Sequence, residues 1–170
     1  RPMILAKNTL VAAHRYPVLY SGKSEVSWNT LSLIPFYNLN ATNIGVSWWS
    51  HDIAGYHRGL EDSELYIRSV QLGVFSPILR FHAARSKYYK REPWRWDLKT
   101  KNVVEHYLRL RHKLLPYLYT EAYLTYQNGK TLIEPLYRKN QWIYDDPVYS
   151  NEYLFGSQML IAPILEKKNI

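Results

Sequence analysis

Residues 44–56 read IGVSWWSHDIAGY, and this stretch decides the fold class. Its first half, up to Trp49, is rich in β-branched and aromatic side chains and predicts a buried strand. The polar residues 50–52 follow at once, and Gly55 marks a turn. A buried strand that runs directly into polar residues and a turn is typical of a parallel α/β sheet, in which ligands meet the loops after the strands.

The segments around this stretch alternate between strand and helix patterns. Three further apolar runs predict strands, at residues 3–6, 14–20 and 77–81. Three segments with helical spacing predict helices, at residues 27–38, 63–73 and 100–128. Pro35 is expected to end or kink the first helix, and Pro116 to kink the last. This alternation predicts an α/β fold with parallel strands joined by helices, as in a barrel or a doubly wound sheet.

The pattern changes after Gly129, which is a natural stop for the last helix. Residues 132–137 and 158–164 predict strands, with a turn-rich polar segment between them. We therefore expect one unit over residues 1–129 and a β-rich continuation over residues 130–170.

The composition excludes several classes of protein. The chain has 170 residues, of which 46% are apolar, so it can bury a core. It contains no Cys, which excludes a disulfide scaffold, a thiolate metal site and a cysteine nucleophile. No apolar run reaches the roughly 18 residues that span a bilayer, and no signal-peptide pattern opens the chain. These features predict a cytoplasmic protein with no membrane partner.

The charge balance is basic, with 22 Lys and Arg against 14 Asp and Glu and a formal net charge of +8. Clustered basic residues displace counterions from nucleic acids. Here they are spread along the chain, and the densest stretch, residues 85–92, is short and ends on an acid. We therefore expect no nucleic-acid partner.

Two groups of polar residues follow predicted strands and are candidates for chemistry. His51 and Asp52 could orient a substrate hydroxyl or pair as base and orienting group; alternatively, Asp52 caps the turn and His51 bonds to backbone. Arg80 and His82 are two residues apart and share one side of a strand. They suit hydroxyl or carboxylate recognition, or else form an internal salt bridge. The spacing of His and carboxylate residues predicts no metal site.

Several motifs together resemble glycoside hydrolase family 31, the α-glucosidase and α-xylosidase group. They are RYP at residues 15–17, WWSHDIAGY at 48–56, QLGVFSP at 71–77, RFH at 80–82, REPW at 91–94 and RHKLLPYLY at 111–119. The resemblance implies a (β/α)8 TIM barrel followed by a β-sandwich, and a retaining mechanism that uses two carboxylates. The chain would supply the C-terminal portion of the barrel and the start of the sandwich. The nucleophilic Asp would precede Arg1.

The resemblance also assigns roles to individual residues. Asp52 and His82 match positions that hold the sugar next to the scissile bond, and Arg80, Trp49 and Tyr20 match positions that shape or support that pocket. Lys7 stands where the family usually has a sugar-binding Arg.

Lys23 stands where the family usually has the acid/base Asp. A solvated Lys, with an ordinary pKa near 10.4, is a poor acid for a glycosidic oxygen. Glu25 is an alternative proton donor. Two functions follow: a fragment of a hydrolase acting on terminal α-linked sugars, or a catalytically lapsed, carbohydrate-binding relative.

The resemblance implies a small carbohydrate as substrate, no cofactor, and the missing N-terminal half of the same protein as a partner. Half a barrel leaves strand edges unpaired, so the isolated fragment is expected to self-associate.

Overall fold

The computed structural model of the chain describes residues 3–7 and 18–168. Its helices are α1 (Trp28–Asn43), α2 (Ser63–Val74), α3 (Leu98–Lys113) and α4 (Leu115–Asn128). Its strands are β1 (Leu5–Ala6), β2 (Val18–Tyr20), β3 (Glu25–Val26), β4 (Trp49–Ser50), β5 (His57–Gly59), β6 (Ile133–Pro135), β7 (Tyr153–Phe155) and β8 (Met159–Ile161). The RYP segment at residues 15–17, and with it the first part of the strand predicted at 14–20, lies outside the described residues.

The first part of the chain contains a parallel sheet with the strand order β1, β2, β4. Leu19 pairs with Trp49, and a parallel bridge from Ser50 to Ile78 adds one more position beyond β4. Helix α1 connects β2 to β4, and α2 lies between β4 and Ile78 in the chain. This arrangement confirms the predicted α/β fold with parallel strands joined by helices. All carboxyl ends of these strands therefore lie on one edge of the sheet, which we call the carboxyl edge.

The second half of the chain ends in an antiparallel sheet with the order β6, β7, β8. Tyr153 and Phe155 of β7 are fully buried and share one core with residues of α1, α2 and α4, including Leu31, Leu65 and Leu118. The C-terminal sheet therefore packs directly onto the helices that precede it.

Helix α1 contradicts the prediction that Pro35 ends it, since the helix continues to Asn43. Pro35 has no N–H to donate to the fourth residue before it, which costs about 3 kcal/mol in a helix interior. Ser27 caps the helix by accepting from the Thr30 N–H, and the helix buries Ile34 and Ala41 on either side of the proline. Packing of this apolar side outweighs the local cost.

The segment predicted as one kinked helix over residues 100–128 is two helices, α3 and α4, separated by Leu114. Pro116 lies in the first turn of α4, where a missing N–H leaves no intrahelical partner unsatisfied. Gly129 ends α4 with a left-handed φ of 68°, as predicted. None of the helices in the described part of the chain is both long and apolar enough to cross a membrane.

The outer strand β1 of the parallel sheet supports a prediction about self-association of the chain. Among the described strands, β1 pairs with β2 alone, and Met3, Ile4 and Leu5 are exposed. A strand with one unpaired edge and exposed apolar side chains is a template for pairing with another chain. We expect the 170-residue chain to self-associate, and Leu5→Lys to weaken that association, in sedimentation velocity over a concentration series. A monodisperse monomer at every concentration would contradict this expectation.

Candidate functional site

Four side chains meet at the carboxyl edge, and we call them the Asp52 cluster: Tyr20, Asp52, Arg80 and His82. The Tyr20 hydroxyl donates to Asp52 Oδ2 at 2.6 Å. Arg80 Nη2 donates to Asp52 Oδ1 at 2.7 Å, and His82 Nδ1 lies 3.0 Å from the same oxygen. Tyr20 is the last residue of β2, and Asp52 follows β4. Arg80 and His82 follow the bridged residue Ile78, so all four side chains lie at the carboxyl edge of the parallel sheet.

The Asp52 carboxylate is the buried centre of the cluster. Its side chain is 0% exposed, whereas those of Arg80 and His82 are 24% and 40% exposed. Because a carboxylate only accepts hydrogen bonds, His82 Nδ1 carries its proton and Nε2 is left for another partner. A ligand at this edge therefore meets Arg80 and His82, which Asp52 orients.

The electrostatics of the cluster keep the Tyr20 hydroxyl protonated, so that it can donate a hydrogen bond. Burial raises the pKa of the Tyr20 phenol above its usual value, and the neighbouring Asp52 carboxylate raises it further. The Arg80 guanidinium lies 4.2 Å from the centre of the Tyr20 ring, a cation–π contact that fixes the arginine from its other side.

His51 lies behind the cluster and does not take part in it. Its Nε2 is 2.9 Å from Ser76 Oγ, which itself donates to the Leu72 carbonyl at 3.1 Å, so Nε2 carries the proton. The structure adds to both interpretations of residues 51 and 52: Asp52 orients neighbouring side chains, and His51 bonds to the side chain of Ser76. His51 thus ties the end of β4 to the end of α2.

His51 predicts a pH dependence of stability. Burial lowers its pKa from 6.5 to about 4. Between these values the unfolded chain binds a proton that the folded chain does not, so stability falls as the pH is lowered from 6.5 to 4, by about 3 kcal/mol in total. We expect His51→Gln, which keeps a donor for Ser76 but does not titrate, to flatten this slope in urea unfolding followed by tryptophan fluorescence. Equal slopes in both proteins would contradict the assignment.

The turn after Asp52 is held by a buried arginine. Ala54 and Gly55 have left-handed φ values of 59° and 80°. Arg91 Nη2 donates to their carbonyls at 3.3 and 2.9 Å, and Arg91 Nη1 pairs with Glu61 at 2.8 Å. The sequence identifies this arginine only as part of the REPW motif and assigns it no role in the site. Its role is to fix the turn on which Asp52 is carried.

A second arginine fixes the segment that leads to Arg80. Arg111 of α3 donates to the carbonyls of Val74, Ser76 and Pro77 at 2.6, 2.8 and 2.8 Å. Burial lowers its pKa to about 10, so it stays charged at neutral pH. These carbonyls include the last of α2, which would otherwise lack donors.

The predicted residue Lys23 lies beside the cluster. Its Nζ is 4.8 Å from the centre of the Tyr56 ring, and that ring is 4.8 Å from the His82 ring. Lys7 lies next to it along the sheet: its Cε is 3.2 Å from the position of a Cβ on Gly22. Both lysines are exposed at the carboxyl edge.

Trp49 and Glu25, which are also predicted as site residues, are not part of the Asp52 cluster. Trp49 pairs with Leu19, and both pack with Ala41 of α1, so they lie on the sheet face opposite to Tyr20. Trp49 and Glu25 line a cavity of about 380 Å³ together with Lys23 and residues of α1. Trp49 therefore supports the sheet beneath the cluster, and Glu25 makes no hydrogen bond or ion pair with the four cluster residues. Within residues 3–7 and 18–168, no three His, Asp or Glu side chains gather in a way that would hold a metal ion.

Residues 1–121 match the family model of the glycosyl hydrolases family 31 TIM-barrel domain. An alpha-xylosidase of Saccharolobus solfataricus is 33% identical over 172 residues, covering 96% of this chain and 23% of the relative. Alpha-glucosidase 2 of Bacillus thermoamyloliquefaciens is 29% identical over 97% of this chain and 21% of its own length. The chain thus spans less than a quarter of the length of these relatives.

Solved structures agree with this assignment. The cycloalternan-degrading enzyme from Trueperella pyogenes superposes with a TM-score of 0.85 at 22% identity, covering 95% of this chain and 24% of that one, which supports the fold. The cycloalternan-forming enzyme from Listeria monocytogenes, in complex with a pentasaccharide substrate, has a TM-score of 0.80 at 29% identity, over 89% and 15% of the two chains. The match over residues 1–121 and the similarity to α-glycosidases along nearly the whole chain establish that this chain belongs to glycoside hydrolase family 31.

Proposed function

We propose that the chain forms part of the sugar-binding edge of a retaining α-glycoside hydrolase that acts on terminal α-linked sugars. The observation that carries this proposal is the Asp52 cluster, in which one buried carboxylate orients Tyr20, Arg80 and His82 at the carboxyl edge. In parallel α/β folds this edge is where ligands bind.

The exposed atoms of the cluster match the chemistry of a sugar. The Arg80 guanidinium retains N–H donors beyond the one given to Asp52, and His82 Nε2 accepts when the ring is neutral. Sugar hydroxyls both donate and accept, so a vicinal pair of hydroxyls can bond to both side chains. Asp52 acts through these two residues, since its own oxygens are buried and already accept three hydrogen bonds.

The remainder of the enzyme would lie outside this sequence. We place residues 1–129 in the last part of a (β/α)8 barrel, with the nucleophilic Asp on an earlier strand, and residues 130–170 at the start of a β-sandwich. The parallel order β1, β2, β4, Ile78 supports the first assignment, because each position neighbours the next one along the chain. The antiparallel sheet β6–β8 supports the second.

Lys23 favours a second candidate function, a carbohydrate-binding relative without hydrolytic activity. By the family resemblance, Lys23 occupies the position of the acid/base Asp, and an exposed ammonium group is a poor proton donor for a glycosidic oxygen. Glu25 is the alternative donor, and it lines the same cavity as Lys23.

Hydrolysis of aryl α-glycosides and α-linked disaccharides by the complete enzyme separates the two functions. Activated aryl groups leave with little protonation, so they turn over even when the acid is weak. If Lys23→Ala or Glu25→Gln selectively abolishes disaccharide cleavage, that residue supplies the proton. Lys130→Ala, an exposed lysine after α4, is the control and is expected to have no effect. Sugar binding without turnover of either substrate class would support the binding function, and absence of both would contradict the site.

A further inference from the structure

Two ammonium groups lie beside the Asp52 cluster and have no carboxylate partner among residues 3–7 and 18–168. Lys23 rests on Tyr56, whose ring packs against His82, and Lys7 lies against Gly22 at the end of β2. No ion pair within the described residues includes either lysine. The residues between 8 and 17, which follow Lys7, contain no Asp or Glu.

The cluster itself offers no negative charge to these lysines. The single carboxylate of the cluster, Asp52, is buried and pairs with the Arg80 guanidinium at 2.7 Å. Glu25 lines a cavity with Lys23, but no oxygen of Glu25 comes within 4 Å of either ammonium group in the described structure. Among the described residues, the carboxyl edge therefore carries two ammonium groups with no carboxylate within 4 Å, beside the groups that would hold the sugar.

Resting on the function proposed above, we infer that the sugar bound at this edge carries an anionic group, and that Lys7 and Lys23 hold it. An ammonium group is a compact point charge with three donors, which suits the oxygens of a phosphate. Sulfate and carboxylate share this chemistry. A neutral sugar can only form hydrogen bonds with these ammonium groups, whereas a phosphate on the sugar gains from their charge as well.

The test is isothermal titration of the complete enzyme, in low salt, with glucose, glucose 1-phosphate, glucose 6-phosphate and glucuronic acid. We expect at least one charged sugar to bind tenfold or more tightly than glucose, and the preference to shrink in 0.5 M NaCl because salt screens exposed charges. The two phosphates show which end of the sugar faces the lysines. Glucuronic acid shows whether a carboxylate suffices.

The variants decide whether the lysines are responsible. In the double variant Lys7→Gln, Lys23→Gln the preference for charged sugars over glucose is expected to vanish. Lys130→Gln, which removes an exposed charge elsewhere, is expected to keep the preference. Equal affinity for charged and neutral sugars in the parent, or a preference that survives the double variant, would overturn the inference alone. Failure to bind any of the four sugars would overturn the proposed function with it.

Discussion

Asp52→Asn is expected to lower kcat/KM of the complete enzyme for an aryl α-glycoside, or its sugar affinity, at least 100-fold. Asn has the size of Asp but a single oxygen acceptor, and Asp52 accepts hydrogen bonds from three side chains. The amide NH2 would face one of these donors. The Arg80 guanidinium would lose its counter-charge and turn away, and with it the orientation that presents the guanidinium and His82 to a ligand.

The same substitution is expected to lower the free energy of unfolding of the chain by about 2 kcal/mol, since a buried charge pair is broken but Arg80 reaches water. The matched control is Asp62→Asn, at the N-cap of α2, where Asp62 Oδ1 accepts from the Glu64 and Leu65 N–H groups. Asn caps helices as well as Asp does, and the exposed ion pair that is lost, between Asp62 and Lys167, contributes little to stability, so this control should change both quantities little. Normal sugar affinity in Asp52→Asn would show that the cluster is not the ligand site.

The sequence could identify site residues that directly follow predicted strands, although the strand predicted at 77–81 is reduced to a single bridged position, Ile78. Arg80 and His82, two residues apart after a predicted strand, do reach the same atom, Asp52 Oδ1. Of the two interpretations made for them, the salt bridge is confirmed for Arg80. The sequence could not predict which face of the sheet carries Trp49, because a shift of one residue in register moves a strand residue to the other face.

Other features depend on contacts between distant segments. Arg91 donates to backbone carbonyls 36 and 37 residues away, and carbonyls carry no sequence signal. Helix α1 continues through Pro35 because of buried neighbours from elsewhere in the chain, which local propensity does not include. Tertiary packing therefore determines both features.

Gly55→Ala is expected to destabilise the chain far more than Gly129→Ala. The two glycines have similar left-handed φ values, 80° and 68°. A Cβ on Gly129 would meet nothing within 4 Å, so its replacement costs about 1 kcal/mol for the backbone conformation alone. A Cβ on Gly55 would lie 2.8 Å from Val26 Cα and would also collide with the Glu25 carbonyl. Backbone atoms of β3 cannot rotate aside as a side chain can, so the expected cost is about 3 kcal/mol or more.

The comparison isolates the close approach of two backbones, because both substitutions impose the same strain in φ. Urea unfolding of the two variants measures the difference, and kcat/KM of the complete enzyme measures its effect on the site. The turn at Gly55 is held from one side by Arg91 and from the other by the N–H of Tyr56, which donates to the Ser24 carbonyl at 2.8 Å. An alanine must therefore displace either β3 or the turn, and displacement of the turn moves Asp52, three residues earlier. Equal destabilisation by the two substitutions would contradict this account, because it would show that the close contact of Gly55 with β3 does not affect the free energy of unfolding.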